Sequence, residues 1–130
     1  MHKIFHRVNT KEDLLRIPSE FGIEVAIRSN GEQLYIHHDP FLNGENFEDW
    51  LASYNHAILI LNVKEEGLES RLIALMKKYC VDDYFFLDQS FPFLVRTATK
   101  GEKRCAIRVS EFENIETAMT LAGKIDWVWV

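Results

Sequence analysis

The sequence has few of the features that mark secreted, membrane-spanning or nucleic-acid-binding proteins. It contains only two cysteines, Cys80 and Cys105, each among apolar neighbours. We expect both to be reduced core residues of a cytoplasmic protein, with a disulfide as the alternative. No apolar stretch reaches the roughly 18 residues that a membrane span needs, and the first residues lack the apolar segment of a signal peptide. Fifteen basic residues face 20 acidic ones, and this net charge of −5 argues against binding to nucleic acid or to an anionic membrane.

The composition that is present is typical of one globular domain. Hydrophobic residues make up 47% of the 130 residues and charged residues 27%, which excludes a disordered chain. Neither a low-complexity linker nor an internal repeat divides the sequence. We therefore expect a single domain over residues 1–130.

Short apolar runs alternate with amphipathic stretches, as in β/α proteins. The pattern predicts strands near residues 3–6, 23–28, 33–37, 57–63, 84–88, 104–109 and 126–130. Helices are expected after Thr10, after Asn46, after Gly67 and from about Asn114, the first and last preceded by capping-box spacing. Residues 91–99 are ambiguous, with one or two helical turns after Pro92. Asn30-Gly31 is a hairpin signal.

The predicted fold class is α/β, a parallel (β/α) barrel-like arrangement with a β-hairpin after the second strand. The almost continuous apolar run 57–63 is typical of a strand buried on both faces of a parallel sheet. A complete barrel takes about 250 residues, so we expect a shortened or incomplete barrel, an open sheet, or a sheet that a partner completes. The apolar strand at residues 127–130 favours a missing C-terminal continuation, or a surface for a homo-oligomer.

Alternation along the strands predicts which side chains share a face. Aliphatic positions such as Val25 and Leu61 are expected to face the helices, and the opposite face becomes polar toward the ends of the strands. The residues at these polar ends are His6, Arg28, Asn62, Lys64, Asp88, Arg108 and Ser110. Because parallel β/α folds place their sites at this edge, the sequence predicts a shared pocket there.

Three stretches of the sequence resemble a known family. IFHRVNT (4–10), GIEVAIRSNGEQLYIHHDP (22–40) and LNVK (61–64) are similar in order and spacing to the motifs of the glycerophosphodiester phosphodiesterases, which belong with the phosphatidylinositol-specific phospholipase C-like phosphodiesterases. The resemblance covers about the first 65 residues and implies a TIM-barrel fold of the phosphodiesterase type. It also implies a phosphoric diester hydrolase with a divalent metal held by three carboxylates.

The resemblance assigns roles by position. His6 and His38 would be the catalytic acid/base pair, Arg7 and Lys64 would contact the phosphate, and Glu24 would be a metal ligand. Our own inference from the strand pattern adds Arg28 to the phosphate-binding residues. One imidazole would deprotonate the attacking hydroxyl while the other protonates the leaving alkoxide.

The chain departs from the family pattern at the metal. Ala26 and Asn62 stand where the resemblance implies the second and third carboxylates, and Val8 replaces a glycine. One glutamate and a neutral amide make a poor cage for Mg²⁺ or Ca²⁺, so we expect no cofactor or a weakly bound divalent metal. Asp39, Glu65 and Asp88 are the alternative carboxylates.

The sequence therefore predicts a degenerate phosphodiesterase-like protein, a pseudoenzyme with weak or no metal-dependent hydrolysis. Its expected partner is a small glycerophosphodiester-like phosphate ester. Metal-free hydrolysis by the two histidines is one alternative, and a non-catalytic protein that uses the scaffold for oligomer or partner assembly is another. A metal site that joins His37 to His38 is disfavoured, because adjacent residues on a strand point to opposite faces.

Overall fold

A mixed β-sheet of six strands lies at the centre of the computed structural model, which describes residues 1–130. The strands of the chain are β1 (Ile4–Phe5), β2 (Gly22–Asn30), β3 (Gln33–Ile36), β4 (Glu45–Asn46), β5 (Leu59–Val63), β6 (Tyr84–Leu87), β7 (Ala106–Arg108) and β8 (Trp127–Trp129). The main sheet has the order β4-β3-β2-β5-β6, with β1 also paired to β2. Strands β1, β2, β5 and β6 pair in parallel. Strand β3 pairs antiparallel with β2, and β4 pairs antiparallel with β3. Strands β7 and β8 form a separate parallel pair.

Five helices connect the strands, and none is long and apolar enough to cross a membrane. They are α1 (Lys11–Arg16), α2 (Phe47–Leu51), α3 (Glu69–Lys78), α4 (Phe91–Thr99) and α5 (Ile115–Met119). The predicted cap of α1 is confirmed, because the Thr10 hydroxyl accepts a hydrogen bond from the Asp13 amide at 3.1 Å. Residues 91–99, ambiguous in the sequence, form a continuous helix with Pro92 in its first turn.

The predicted hairpin is also confirmed. Asn30 pairs with Gln33, so Gly31 and Glu32 form the turn, and Gly31 has a φ of 61° that a side chain would strain. The turn returns β3 alongside the second half of β2. This brings residues 37–40 back to the end of the sheet where β5 also ends.

The two faces of the sheet carry different side chains, as the alternation predicted. Val25 and Leu61, with their neighbours two residues away on each strand, pack against buried helix residues such as Leu14, Trp50 and Leu72 in a cluster of 22 side chains. The opposite face carries a smaller cluster of Ile58, Ile60, Phe85, Leu87 and Ala106, bordered by Ile4, Trp127 and Trp129. On that face Glu24 and Asn62 continue toward the carboxyl ends of the strands, where the sheet becomes polar.

The prediction of a barrel-like fold of the TIM-barrel phosphodiesterase type, shortened or incomplete, is wrong. The chain forms a small mixed α/β domain whose strands close no ring. Antiparallel β3 and β4 occupy one side of the sheet, and a single bridge from Phe86 to Cys105 is the only β-pairing between β6 and the β7–β8 pair. The strands do not close into a barrel because β1 and β8 are not paired. The chain also has only six strands in parallel pairings, fewer than the eight of a TIM barrel.

Two local expectations also differ from the structure. Ser110 and Glu113 close a turn through a 2.7 Å hydrogen bond between their side chains, and Asn114 instead caps α5. Strand β4 had no sequence signal, because its two residues are polar and pair only with the end of β3.

The two cysteines differ sharply in environment. Cys80 is exposed and Cys105 is buried, and neither forms a disulfide. Burial, with a smaller contribution from the Glu102 carboxylate, raises the pKa of the Cys105 thiol to about 12. The thiolate is the reactive species, so Cys105 is inert in the folded chain.

We expect an aromatic disulfide reagent at pH 8 to modify one thiol per folded chain and two after unfolding in urea. The reason is that pH 8 lies far below the raised pKa of Cys105, which stays protonated and covered. In a Cys80→Ser control, rapid modification of the folded protein should disappear. Rapid reaction of both thiols in the folded wild type would contradict the buried position of Cys105.

Candidate functional site

The polar residues predicted from the strand pattern lie along the carboxyl edge of the parallel strands. The register pairs Ala26 with Asn62, and the Lys64 amide donates to the carbonyl of Ile27. Arg28 and Lys64 are therefore neighbours across β2 and the end of β5, on the same face as Glu24 and Asn62. We call this group of side chains, together with His6, Arg7, Asp88 and Arg108, the polar edge.

Glu24 is the most connected residue of the polar edge. Its side chain is only 6% exposed, and both carboxylate oxygens accept hydrogen bonds. Oε2 lies 3.0 Å from the Arg7 amide and 3.3 Å from Nδ1 of His6, and Oε1 accepts from Nδ2 of Asn62 at 3.1 Å. Because a carboxylate oxygen only accepts, Nδ1 of His6 is the donor in this contact, and Nε2 makes no hydrogen bond within the protein.

The backbone is strained at two points of this edge. Arg7, after β1, has a φ of 55°, and Asp88, after β6, has a φ of 60°. Residues with a Cβ rarely adopt this left-handed region, and such strain persists where surrounding contacts enforce it. At Arg7 the enforcing contact is the hydrogen bond from its amide to Glu24. The guanidinium of Arg7 is exposed and makes no hydrogen bond within the protein.

Lys64 is a partly buried cation of the polar edge with one distant anionic partner. Its side chain is 19% exposed, and its nearest carboxylate oxygen is Oδ2 of Asp88, 3.9 Å from Nζ. The other Asp88 oxygen is taken by Arg108, whose Nη2 and Nε donate to it at 2.5 and 3.1 Å. A partly buried ammonium whose nearest carboxylate oxygen is 3.9 Å away is incompletely paired, and a second anion close to it would add a favourable interaction.

Arg28 and His38 lie on the hairpin side of the edge. The guanidinium of Arg28 donates to the carbonyls of His37 and His38 at 3.1 and 2.7 Å, so it fixes the segment after β3. The His38 ring bonds through Nδ1 to the Asp39 carboxylate at 3.1 Å, and this hydrogen bond lowers the pKa of Asp39. No hydrogen bond joins His38 to His6. Their role as an acid/base pair stays a prediction, since groups that flank a phosphodiester on opposite sides need not touch.

The residues at the expected metal position do not fit a cage of three carboxylates. Glu24 is the one carboxylate there, and donors already occupy both of its oxygens. Ala26 offers no ligand, and Asn62 offers only its amide oxygen Oδ1, which is buried without a partner. The structure contains no group of three or more histidine, cysteine or acidic side chains arranged for a metal ion. Hard cations need several oxygens, so this donor set does not match Mg²⁺ or Ca²⁺.

Two residues of the site were not predicted from the sequence. The Asn9 side chain accepts a hydrogen bond from the Ala26 amide at 3.2 Å and ties the loop after β1 to β2. The Trp129 ring meets the His6 ring edge-on, with 5.8 Å between centroids, so the end of β8 borders the polar edge. Trp129 could have been suggested by its place at the end of a strand; Asn9 carries no such signal.

The contacts of Glu24 generate a stability prediction. In Glu24→Gln, one carboxylate oxygen becomes an amide donor that faces another donor, so we expect a loss of about 1–3 kcal/mol in the free energy of unfolding. Combining it with Asn62→Asp restores a donor–acceptor match and should recover part of that loss. Urea unfolding measures all three variants, with exposed Glu111→Gln as a control that changes stability by less than about 0.5 kcal/mol. Strictly additive losses in the double variant would contradict the direct contact between the two side chains.

Comparison with known proteins identifies no relative. No family model, no curated protein and no solved structure matches this chain. The resemblance to the phosphodiesterases thus rests on its three motifs alone, and the function has to be inferred from the geometry of the polar edge.

Proposed function

We propose that the chain binds a small phosphate ester of the glycerophosphodiester kind at the polar edge, without a bound metal. Lys64 carries the proposal, because its partly buried side chain has only the Asp88 carboxylate, 3.9 Å from Nζ, as a partner. A phosphate oxygen within hydrogen-bond distance would supply the missing close contact. Such charge-assisted hydrogen bonds are short and about twice as strong as neutral ones.

Other cations support an anion at this place. Arg7 is exposed beside Glu24, and its guanidinium makes no hydrogen bond within the protein. Arg108 binds the Asp88 oxygen that does not face Lys64. Arg28 contributes positive charge to the same face while it holds the hairpin carbonyls. The carboxylates of this group are Glu24 and Asp88, so the polar edge has an excess of positive charge in a chain of net charge −5.

The motifs that resemble the phosphodiesterases favour the same ligand class. We propose a degenerate relation to that family, in which binding persists and hydrolysis is weak or lost. The free Nε2 of His6 could remove a proton from the attacking hydroxyl, and His38 could return one to the leaving alkoxide. Without a metal, only Lys64 and the arginines would stabilise the added negative charge at phosphorus.

The proposed setting is the cytoplasm, which the two free thiols support.

The alternative role, a non-catalytic assembly protein, is favoured by one feature: β8 pairs only with β7, and Val128 and Val130 are 56% and 96% exposed. Both valines would be buried in a homo-oligomer.

Calorimetric titration of the full chain with glycerophosphocholine tests the binding proposal. We expect saturable binding that is unchanged by EDTA, because no metal contributes to the contact. Lys64→Ala should weaken it at least about tenfold, the loss expected for one charge-assisted hydrogen bond. The matched control is Lys77→Ala, at an exposed lysine on α3, which should bind like wild type. Binding that EDTA abolishes, or that Lys64→Ala leaves intact, would overturn the proposal.

Hydrolysis is tested separately with the same ester by following the release of glycerol 3-phosphate. We expect turnover to be slow and insensitive to EDTA, and His6→Ala and His38→Ala should each reduce any activity about a hundredfold, the usual size of an acid/base contribution. His56→Ala is the control, since that ring bonds the Ile17 carbonyl away from the edge. Rapid turnover that requires Mg²⁺ or Ca²⁺ would show that a metal site forms after all.

A further inference from the structure

A second feature adjoins the polar edge: a pocket of about 550 Å³ bounded by residues 88–94 and 106–117. Its polar residues are Asp88 and Arg108 next to the polar edge, and Gln89, Glu113, Asn114 and Thr117 around the rest of the lining. Leu94, Ala106 and Ile107 are its buried apolar residues. The volume falls in the range of small-molecule sites, which combine an apolar lining with a few fixed polar groups.

Phe112 stands at this pocket and is 90% exposed. Its exposure does not come from a loose loop, because residues 110–113 form a closed turn. Ser110 and Glu113 exchange backbone hydrogen bonds of 3.1 and 3.2 Å, and the Ser110 hydroxyl accepts from the Phe112 amide at 3.2 Å. A defined turn thus presents a large aromatic ring to solvent. Phe91, 47% exposed at the start of α4, also lines the pocket.

The pocket and the polar edge share two residues, Asp88 and Arg108. Asp88 lines the pocket, receives both hydrogen bonds from Arg108, and is the carboxylate nearest to Lys64. A ligand anion beside Lys64 would therefore lie next to the pocket mouth. The remainder of such a ligand would meet an apolar surface with two exposed aromatic rings.

From this continuity we infer that the pocket beside Asp88 binds the apolar part of the ligand, so that the preferred ligand is a phosphate ester of an aromatic or similarly flat, apolar alcohol. This inference rests on the proposed phosphate binding at Lys64 and adds the substrate class. Phe112 is its specificity-determining residue. Covering Phe112 and Phe91 with a flat group removes apolar surface from water and permits ring stacking.

A second exposed phenylalanine provides a matched control. Phe41 is 99% exposed and lines another pocket, of about 750 Å³, at the hairpin. That pocket borders the polar edge through Arg28 and includes the amide side chains of Asn30, Gln33 and Asn43, but it lacks Lys64 and Asp88. Phe41→Ala and Phe112→Ala remove the same ring from equally solvated positions, so neither is expected to disturb folding.

The experiment compares inorganic phosphate with phenyl phosphate by calorimetry on the full chain. Wild type should bind phenyl phosphate about tenfold more tightly, and Phe112→Ala should lose most of this preference while its affinity for inorganic phosphate stays unchanged. Phe112→Trp keeps an aromatic ring at this position and should show the wild-type preference. Phe41→Ala should show it as well. Lys64→Ala should weaken both ligands equally.

Each contrary result has a distinct meaning. Binding of inorganic phosphate with no preference for the phenyl ester overturns the apolar pocket alone. A preference that survives Phe112→Ala but disappears in Phe41→Ala assigns the apolar group to the hairpin pocket and also overturns the inference. Failure of both ligands to bind overturns the phosphate proposal together with this one.

Discussion

The geometry of the polar edge depends on one buried carboxylate. Removing a carboxylate from water is unfavourable unless donors replace the lost hydration. For Glu24 these donors come from two other parts of the chain, the turn after β1 and the carboxyl end of β5. Satisfying the charge therefore fixes where both segments lie relative to β2. The left-handed Arg7 backbone and the orientation of the His6 ring follow from this single requirement.

The substitutions beside Glu24 change what kind of ligand the edge can attract. Three carboxylates at positions 24, 26 and 62 would repel one another and require a divalent cation. With Ala26 and Asn62 in place, the remaining carboxylate is satisfied by donors of the protein itself. Lys64 then has only the Asp88 carboxylate, which is bound more closely to Arg108. Under the proposed relation to the phosphodiesterases, this loss of negative charge would convert a site that needs a cation into one that favours an anion.

The features that could be predicted from sequence are those decided locally. Alternation along β2 and β5 fixes which side chains share a face, and the Thr10 cap and the Asn30-Gly31 turn depend on neighbouring residues. Closure of the sheet depends on whether β8 reaches β1, which no local pattern encodes, and the barrel prediction failed there. At the site, the convergence of Glu24 with His6 and Asn62 followed from alternation. The role of Asn9 depends on a contact between distant segments and could not be foreseen, whereas only the position of Trp129 at the end of a strand hinted at its place beside His6.

Binding and catalysis make different demands on this edge. Only interactions that strengthen between bound ester and transition state accelerate hydrolysis. In the proposed complex, Lys64 would contact a phosphate oxygen in the bound ester and in the transition state alike, so much of its contribution would not accelerate the reaction. A divalent metal would supply added stabilisation as charge grows at phosphorus, but the donor set around Glu24 does not fit one. Without a metal, the main remaining contribution to catalysis would be proton transfer by imidazole. General acid–base catalysis accelerates a reaction by about 10²–10⁴-fold, far below the rate enhancement of an efficient phosphodiesterase. If the polar edge binds a phosphate ester as proposed, these contributions favour retention of the ester over rapid turnover.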